Sequence, residues 1–582
     1  MSKQATCTKS EPVVKTHLPL DAGFKALSKT VDPFGILSSQ LKAQLAWAQH
    51  PQELWRVASN LSADLLKIYG HGARRMLGLS EGDPEPRNPD DERFADAAWS
   101  DWPAWDLLKE HYLLLTHRLQ DAVAQTPGLT NHERQVADFW QRVGLNMLAP
   151  TNFFWLNPQA IQRFVKTGGQ SAVTGWSNFM RDMEAQNILM VEPDAFVVGK
   201  DLGTTPGKVV HRNRLVELIH HTPTTDKVRA MPIVIVTPWI NKYYILDLTA
   251  QKSMVKHLTD QGFSVFITSW KNPDADMRDV RLDDYLLQGV DEVVRTVTNL
   301  CKLPQVHLVG YCIGGTLVST YMAWANRHFG PDKMPVAHWT LFATLTDFSH
   351  PGEIEVFIDE ESISALEGLM AKKGYLDGNE MAASFRLLRS NSLIWNYWVS
   401  SYLLGEDLPK FDVLFWNMDA TRMPQAMHSY YLRQMYLHNR LVEPDALIIA
   451  DEPINLGRIT QPLYAVTARD DHIAPWTSCY QIRRVVHPAA PVRFVLSTSG
   501  HILGIVNPPV DPPKRSYWIG EPTAEQSAQD WLAQSPKLPG SWWGDWAAWL
   551  NARTGAMVPA YGARRRKFPA LADAPGTYVL EK

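Results

Sequence analysis

Gly310-Tyr311-Cys312-Ile313-Gly314-Gly315 lies between an apolar run, Val306-His307-Leu308-Val309, and a helix-compatible stretch, Thr316-Leu317-Val318-Ser319-Thr320-Tyr321-Met322-Ala323. A β-run, a G-x-C-x-G turn and a helix in that order describe a nucleophile elbow whose exposed residue is a cysteine. Glycines are needed at its flanks because side chains there would collide where strand and helix close around a strained residue. The elbow lifts the Cys312 sulfur above the edge of a sheet and sets it at the positive end of a helix, which favours thiolate. The other common use of a free cysteine is as a small buried hydrophobe, here beside an ordinary strand-to-helix turn.

A nucleophilic cysteine needs a base, and the base needs an orienting acid. On an α/β-hydrolase sheet these follow the nucleophile in the order acid, histidine. Pro462-Leu463-Tyr464-Ala465-Val466-Thr467-Ala468 reads as a buried strand ending at Arg469-Asp470-Asp471-His472-Ile473-Ala474-Pro475-Trp476. Val492-Arg493-Phe494-Val495-Leu496 reads as another, ending at Ser497-Thr498-Ser499-Gly500-His501-Ile502-Leu503-Gly504. Asp471 and His501 therefore fall just past the carboxyl ends of strands, on the edge that carries the elbow. Asp470 and Asp471 are neighbours, so one faces the site and the other solvent, and the pattern alone does not choose between them. Among 19 histidines, His501 is the one preceded by a strand and held between glycines, Gly500 and Gly504. His472 reads as a polar residue that shapes its loop.

Taken with other words along the chain, these residues resemble a polyhydroxyalkanoate (poly-3-hydroxybutyrate) synthase of the one-component, short-chain class I type, over nearly the whole length. The matching words are the elbow itself, Pro238-Trp239-Ile240-Asn241-Lys242-Tyr243-Tyr244-Ile245-Leu246-Asp247-Leu248, Ser269-Trp270-Lys271-Asn272-Pro273-Asp274 and Trp416-Asn417-Met418-Asp419-Ala420-Thr421. Two more are Asp471-His472-Ile473-Ala474-Pro475-Trp476 and Gly500-His501-Ile502. The resemblance carries a catalytic triad to Cys312, Asp471 and His501. It implies polymerisation of (R)-3-hydroxyacyl-coenzyme A, with 3-hydroxybutyryl-coenzyme A as the expected donor, through a thioester on Cys312 with release of coenzyme A. It also implies a cytoplasmic homodimer at the surface of polymer granules, acting on the growing polyester, with a coenzyme A thioester as substrate and no cofactor or metal. The same fold and triad would also serve a cysteine-dependent thioesterase or polyester hydrolase, because a fold does not decide between water and an alcohol as acceptor. A granule scaffold without activity would have no use for the three intact residues.

Composition is compatible with an enzyme of this kind. Across 582 residues, 57 Lys+Arg stand against 61 Asp+Glu, a net −4 that gives no electrostatic footprint for nucleic acid. Hydrophobic residues make up 45%, enough for a large core. The cysteines Cys7, Cys301, Cys312 and Cys479 show neither CxxC spacing nor a zinc cluster, which fits a reducing cytoplasm, and Cys301 and Cys479 read as small hydrophobes. Met1 to Cys7 lacks the apolar core of a signal peptide, and no run reaches the apolar length of a membrane span. The tryptophan clusters Trp99, Trp102, Trp105 and Trp542, Trp543, Trp546, Trp549 suit core, subunit contact or a hydrophobic polymer. Arg564-Arg565-Arg566-Lys567 reads as a solvated surface run.

The chain divides near residue 210. Residues 1–20 are expected to be disordered, and 21–210 to form a helical N-terminal domain with a Pro- and acid-rich linker at 83–91. Thr130-Asn131-His132-Glu133 is a capping box, followed by Val136, Phe139, Trp140, Val143 and Met147 along one helix face. Leu107, Leu108, Leu115, Leu119 and Ala122 mark an earlier helix face. Residues 211–582 alternate strand and helix. Pro232–Thr237, Phe263–Trp270 and Trp339–Ala343 read as strands, and a helix near Asp283 carries Leu286, Leu287, Val290, Val293, Val294 and Val297 on one face. This is an α/β-hydrolase pattern, a mostly parallel doubly wound sheet. Residues 347–445 show no strand character and are too long for a loop, so they are expected to form a helical cap with a part that moves.

Attack on a thioester makes an oxyanion that needs donors. One is expected from the backbone amide of Ile313, the other from the loop around Trp239 and Ile240. Asn241 and Lys242 in that loop are placed toward the pantetheine or phosphate of coenzyme A. Leu503, beside His501, is placed against the acyl group.

Overall fold

The structure, a computed structural model, describes residues 32–79, 92–560 and 569–582. The expectations for residues 1–20, the linker at 83–91 and the basic run at 564–567 lie outside those residues.

The apolar runs form the middle of an eleven-stranded sheet. In chain order its strands are β1 (Gly207–Arg212), β2 (Val216–His221), β3 (Ile233–Val236), β4 (Val265–Trp270), β5 (Val306–Tyr311) and β6 (Val336–Phe342). They continue with β7 (Leu463–Ala468), β8 (Val492–Ser497), β9 (Ser516–Gly520), β10 (Lys537–Pro539) and β11 (Ala572–Asp573). The spatial order is β10-β9-β8-β7-β6-β5-β3-β4-β2-β1-β11. Strands β3 to β8 pair in parallel, and every residue of β3, β4, β5 and β7 is buried. That burial on both faces is why their sequences are continuous apolar runs without alternation.

Both margins of the sheet are antiparallel. Strand β2 reads Val-Glu-Leu-Ile-His-His, yet all six residues are buried. Its Glu217 carboxylate accepts hydrogen bonds from the Thr577 amide at 2.9 Å, the Tyr578 amide at 3.0 Å and the Thr577 hydroxyl at 2.9 Å, and pairs with Arg212. A buried charge is tolerable when it is paired and bonded in this way.

The elbow is built by close approach. A Cβ on Gly314 would lie 2.7 Å from the Val236 and Thr237 carbonyl oxygens, and one on Gly310 would lie 2.5 Å from the Gly315 Cα. These contacts let the buried helix Ile313–His328 start directly on the sheet. On the opposite face of the sheet, Trp542, Trp543, Trp546 and Trp549 are buried, so this cluster is core. Trp99 is likewise buried, whereas Trp102 is exposed.

The N-terminal part is helical, and its capping box forms in full, with the Glu133 amide 3.2 Å from the Thr130 hydroxyl. Val136 and Phe139 pack on Val356 and Leu388, while Met147 at the end of the same stripe is exposed. On the helix Pro103–Ala124 the expected leucine face is only half-buried. Its buried face carries Asp106, Lys109 and Glu110, with Arg75–Asp106 at 2.5 Å and Lys109–Asp106 at 2.9 Å. Tyr112, Leu114 and Val123 are buried on the same helix, so paired charges share the buried surface with apolar side chains outside the expected leucine stripe.

The helix near Asp283 contains a π segment, Tyr285–Asp291, before Glu292–Cys301. The wider turn rotates Leu287 off the apolar face, leaving it 38% exposed. The insertion after β6 is helical with three further π segments, Asn391–Trp395, Trp398–Leu403 and Tyr431–Leu437. It is not free of strands: Tyr375–Leu376 pairs with Met423–Pro424, and Leu447–Ile449 forms a hairpin with Glu452–Ile454 just beyond it. Two- and three-residue strands leave no alternation to read.

Gly314→Ala is expected to lower stability by about 1–3 kcal/mol, since the added methyl meets immovable backbone. Gly144→Ala, in a helix with nothing within 4 Å of the new Cβ, is expected to be neutral or slightly stabilising. Denaturant melts of the two variants check the contrast.

Candidate active site

Cys312 caps the helix Ile313–His328 with φ 53° and ψ −126°, a region that L-residues rarely occupy. It is held there by hydrogen bonds. Its amide donates to the Phe342 carbonyl at 2.9 Å, and its own carbonyl accepts from the Gly315 amide at 2.8 Å and the Thr316 amide at 3.1 Å. Cys312 is half-buried, whereas Cys301 and Cys479 are buried.

Strands β7 and β8 deliver the partners to the same edge. The His501 Nδ1–H donates to Asp471 Oδ2 at 2.6 Å. The other carboxylate oxygen of Asp471 accepts the amides of Ile473 and Ala474, each at 2.9 Å. Asp471 is buried, and Asp470 next to it is exposed, so the geometry joins Asp471 to the imidazole and leaves Asp470 to solvent. Burial by itself would lower the His501 pKa. The charges of Asp471 and Cys312, with hydrogen bonds to both, outweigh it and hold the imidazole well above its ordinary value. With Nδ1 committed to Asp471, Nε2 is left for Cys312. The Tyr311 ring stacks on the imidazole with centroids 5.7 Å apart, and its hydroxyl reaches the His501 carbonyl at 3.4 Å.

Ile313 is the first helical residue, where an amide has no acceptor within the helix. In the facing loop the Trp239 side chain is core, wedged between Trp270 and Tyr285 with centroids 5.5 and 4.6 Å away. The Trp239 carbonyl accepts from the Thr421 hydroxyl, the Ile240 carbonyl accepts from the Thr421 amide at 3.1 Å, and Asn241 bridges to Ala420. In a trans peptide the N–H points opposite the C=O. Tying the Trp239 carbonyl to Thr421 therefore turns the Ile240 amide away from Thr421.

Cys312 and His501 open on a cavity of about 320 Å³, and Pro238, Ile240, Asn241 and Leu503 line it with them. Lys242 does not reach it. That side chain is buried in the other direction, its ammonium donating to the carbonyls of Tyr578 at 3.5 Å and Glu581 at 2.5 Å. Of the two polar residues expected to meet coenzyme A, the structure keeps Asn241 at the cavity and removes Lys242. The insertion roofs the space with mostly apolar side chains, among them Met381, Phe385, Leu393, Val413 and Trp416.

Sequence reading missed several residues here. Tyr431 and Tyr436, from the last π segment of the insertion, lie within the field of Cys312. Burial first, and then neighbouring charges that include Cys312, push both phenols up. Cys479 is less remote than its sequence context implies. Its thiol is raised by burial and then by Asp471 and Cys312, and it donates to the Ala474 carbonyl at 3.4 Å. Thr421 carried a signal only as part of a longer word. Among the described residues no three His, Cys, Asp or Glu side chains are grouped to hold a metal ion.

Residues 90–258 match the family model described as Poly-beta-hydroxybutyrate polymerase (PhaC) N-terminus, and residues 244–508 match the alpha/beta hydrolase fold. The chain is 36% identical over 562 residues to the poly(3-hydroxyalkanoate) polymerase subunit PhaC of Rhizobium etli, covering 95% of this chain and 87% of that one. It is 37% identical over 540 residues to the poly(3-hydroxyalkanoate) polymerase of Methylorubrum extorquens, covering 92% and 88% of the two chains. To the PhaC subunit of Cupriavidus necator it is 38% identical over 516 residues, covering 87% and 85%.

Asp471→Asn is expected to cut turnover by roughly a thousandfold or more through loss of imidazole orientation. Asp470→Asn, at an exposed position, is expected to stay within about twofold. Steady-state rates of the purified variants decide it, and the reverse ranking would move the acid to Asp470. Separately, Cys312→Ala removes one of the charges that raise His501, so its imidazole is expected to titrate at lower pH in that variant, read by NMR. The sign extends to stability. A raised folded-state pKa contributes stability that is complete below the ordinary histidine value and lost as pH rises through the folded one, and that loss is expected at lower pH in Cys312→Ala.

Proposed function

This chain belongs to the poly(3-hydroxyalkanoate) polymerase family, and from that premise we propose that it extends a polyester from (R)-3-hydroxyacyl-coenzyme A, with 3-hydroxybutyryl-coenzyme A as donor, through a thioester on Cys312. The observation that supports this most directly is the hydrogen-bonded Asp471–His501 pair set against a strained cysteine under an apolar roof.

His501 takes the Cys312 proton, and the thiolate attacks the donor carbonyl. The tetrahedral oxyanion is met by the amides of Ile313 and Ile240. Collapse breaks the bond to coenzyme A, whose sulfur leaves with the proton held on His501. The 3-hydroxyl of the next acyl unit then gives its proton to His501 and attacks the acyl-cysteine. An ester forms, the bond to Cys312 breaks, and the thiol is restored. Sulfur suits this cycle because exchange between thioesters is nearly thermoneutral, whereas a serine ester would be a deeper trap. The apolar lining disfavours water, which would otherwise release a free hydroxy acid. Asn241 faces the donor, and Leu503 borders the acyl group.

On this reading the insertion is a cap that opens to admit the donor, and the enzyme works as a cytoplasmic homodimer at the granule surface. Exposed Trp155 and Trp176 on the N-terminal part supply apolar surface for a polyester. No helix among the described residues is long and apolar enough to cross a membrane.

The test is incubation of the purified protein with 3-hydroxybutyryl-coenzyme A, following free thiol and turbidity together. Both are expected to rise. Thiol release with soluble 3-hydroxybutyrate and a clear solution would make it a hydrolase. Cys312→Ala is expected to abolish both signals while keeping its melting profile, and Cys312→Ser to retain at most a trace because a hydroxyl ionises far less readily beside the same histidine. Polymer from the alanine variant would remove Cys312 from its role.

A further inference from the structure

One group in the cavity wall has no part in the chemistry above. Arg386, on the helix Gly378–Leu388, lines the same cavity as Cys312 and His501 and is only 9% exposed. Its cavity neighbours Met381, Ala382, Phe385 and Leu393 are apolar. Nη1 donates to the Asn187 side-chain oxygen at 2.6 Å, while Nε is buried without a hydrogen-bond partner. Among the described residues no carboxylate forms an ion pair with it. Burial lowers its pKa, and the neighbouring Tyr397 phenol is the one opposing influence.

An arginine stays charged even under such a shift, and a buried charge is costly unless paired and hydrogen-bonded. If Arg386 served only to tie the insertion to the N-terminal part, a neutral donor would do, since its one bond goes to an amide oxygen. Arg386 lines a space that it shares with Cys312 and His501, and no carboxylate among the described residues offsets its charge there. We infer that Arg386 is an oxyanion-binding group of the catalytic cavity, taking a carboxylate or phosphate borne by a molecule of the reaction.

That chemistry has two sources. One is the carboxylate of a free (R)-3-hydroxy acid, formed when water intercepts the acyl-cysteine; the other is a phosphate of the coenzyme A donor. A cavity of about 320 Å³ holds a four-carbon hydroxy acid but not a nucleotide beside an acyl chain, which favours the carboxylate. Two carboxylate oxygens also match the guanidinium fork. In that case the enzyme carries a sensor for its own hydrolytic by-product, and the acid competes with the incoming acyl unit. Asn187 acts as a positioning residue for the fork, giving the N-terminal part a link to the cavity.

This inference deepens the polymerase reading and rests on it for the identity of the ligand, but binding is measurable without turnover. Calorimetric titration of the full chain with (R)-3-hydroxybutyrate, and separately with inorganic phosphate, is made at constant ionic strength. The wild type is expected to bind hydroxybutyrate, and Arg386→Met to bind it about tenfold or more weakly. Arg386→Lys recovers part of the loss, and the uncharged methyl ester binds wild type and Arg386→Met alike. If phosphate is the source, Arg386→Met raises KM for 3-hydroxybutyryl-coenzyme A by a similar factor and leaves KM for 3-hydroxybutyryl-pantetheine, which lacks phosphates, unchanged. Either pattern supports the site. The site is overturned if the wild type binds neither anion and both KM values are unmoved in the lysine and methionine variants, or if Arg386→Met binds both anions as the wild type does. Should the methionine variant fail to fold, the wild-type titration and the lysine variant decide. Failure of the polymerase reading shows separately, as thiol release by the wild type without turbidity.

Discussion

The backbone of Cys312 can sit at positive φ only because helix and sheet meet there at backbone distance, and that contact orders the rest of the site. A strained residue costs on the order of 1–3 kcal/mol and persists only where its surroundings over-determine it. Here the surroundings are the Phe342 carbonyl at the end of β6, the first turn of the helix, and the Val236 and Thr237 carbonyls at the end of β3. The same close packing leaves the Ile313 amide at the sheet edge to which β7 and β8 bring Asp471 and His501. The strain at Cys312 and the position of the Ile313 amide are consequences of one steric contact.

The insertion is joined to this site at two kinds of place. Through Thr421, Ala420 and Trp416 it grips the loop from Trp239 to Lys242, with the Trp416 indole donating to the Lys242 carbonyl at 2.6 Å. Through Met381, Phe385, Arg386 and Leu393 it only lines the space above. The first set holds the backbone of the loop through hydrogen bonds to the Trp239, Ile240 and Lys242 carbonyls. The second set is attached by side-chain packing.

Local words carried the Cys312 and His501 half of this arrangement. A strand end, a glycine-flanked residue and the right chain order were enough to place Cys312 and His501, because each depends on its own few neighbours. The choice between Asp470 and Asp471 needed either family resemblance or the observed bond to His501, since adjacent residues share every local property. Lys242 was misplaced for a different reason. Its partners, the carbonyls of Tyr578 and Glu581, come from the far end of the chain and leave no trace near residue 242. Tyr431 and Tyr436 were illegible because they belong to a π segment, where a fixed 3.6-residue period does not hold, and Arg386 because its short α-helix Gly378–Leu388 reaches the cavity only through tertiary packing of the insertion. The leucine stripe of Pro103–Ala124 is only half-buried because the helix buries other residues, the ion-paired Asp106 and Lys109 beside Tyr112, Leu114 and Val123.

The clamp on Glu217 has a bearing on how the molecule comes into being. Its hydrogen-bonding partners Thr577 and Tyr578 lie 360 and 361 residues further along the chain. At ribosomal rates of about 5–20 residues per second they emerge tens of seconds after β2. Until then a carboxylate destined for the interior has only Arg212 to offset it, and the β1–β2 margin lacks its outermost strand, β11. The thiol of Cys312 is likewise made well before Asp471 and His501. The nascent chain thus carries Cys312 for a time without the Asp471–His501 pair, and this margin of the sheet seals only once residues 572–578 have been made. Vectorial synthesis separates in time the making of this thiol from that of the hydrogen-bonded pair set beside it.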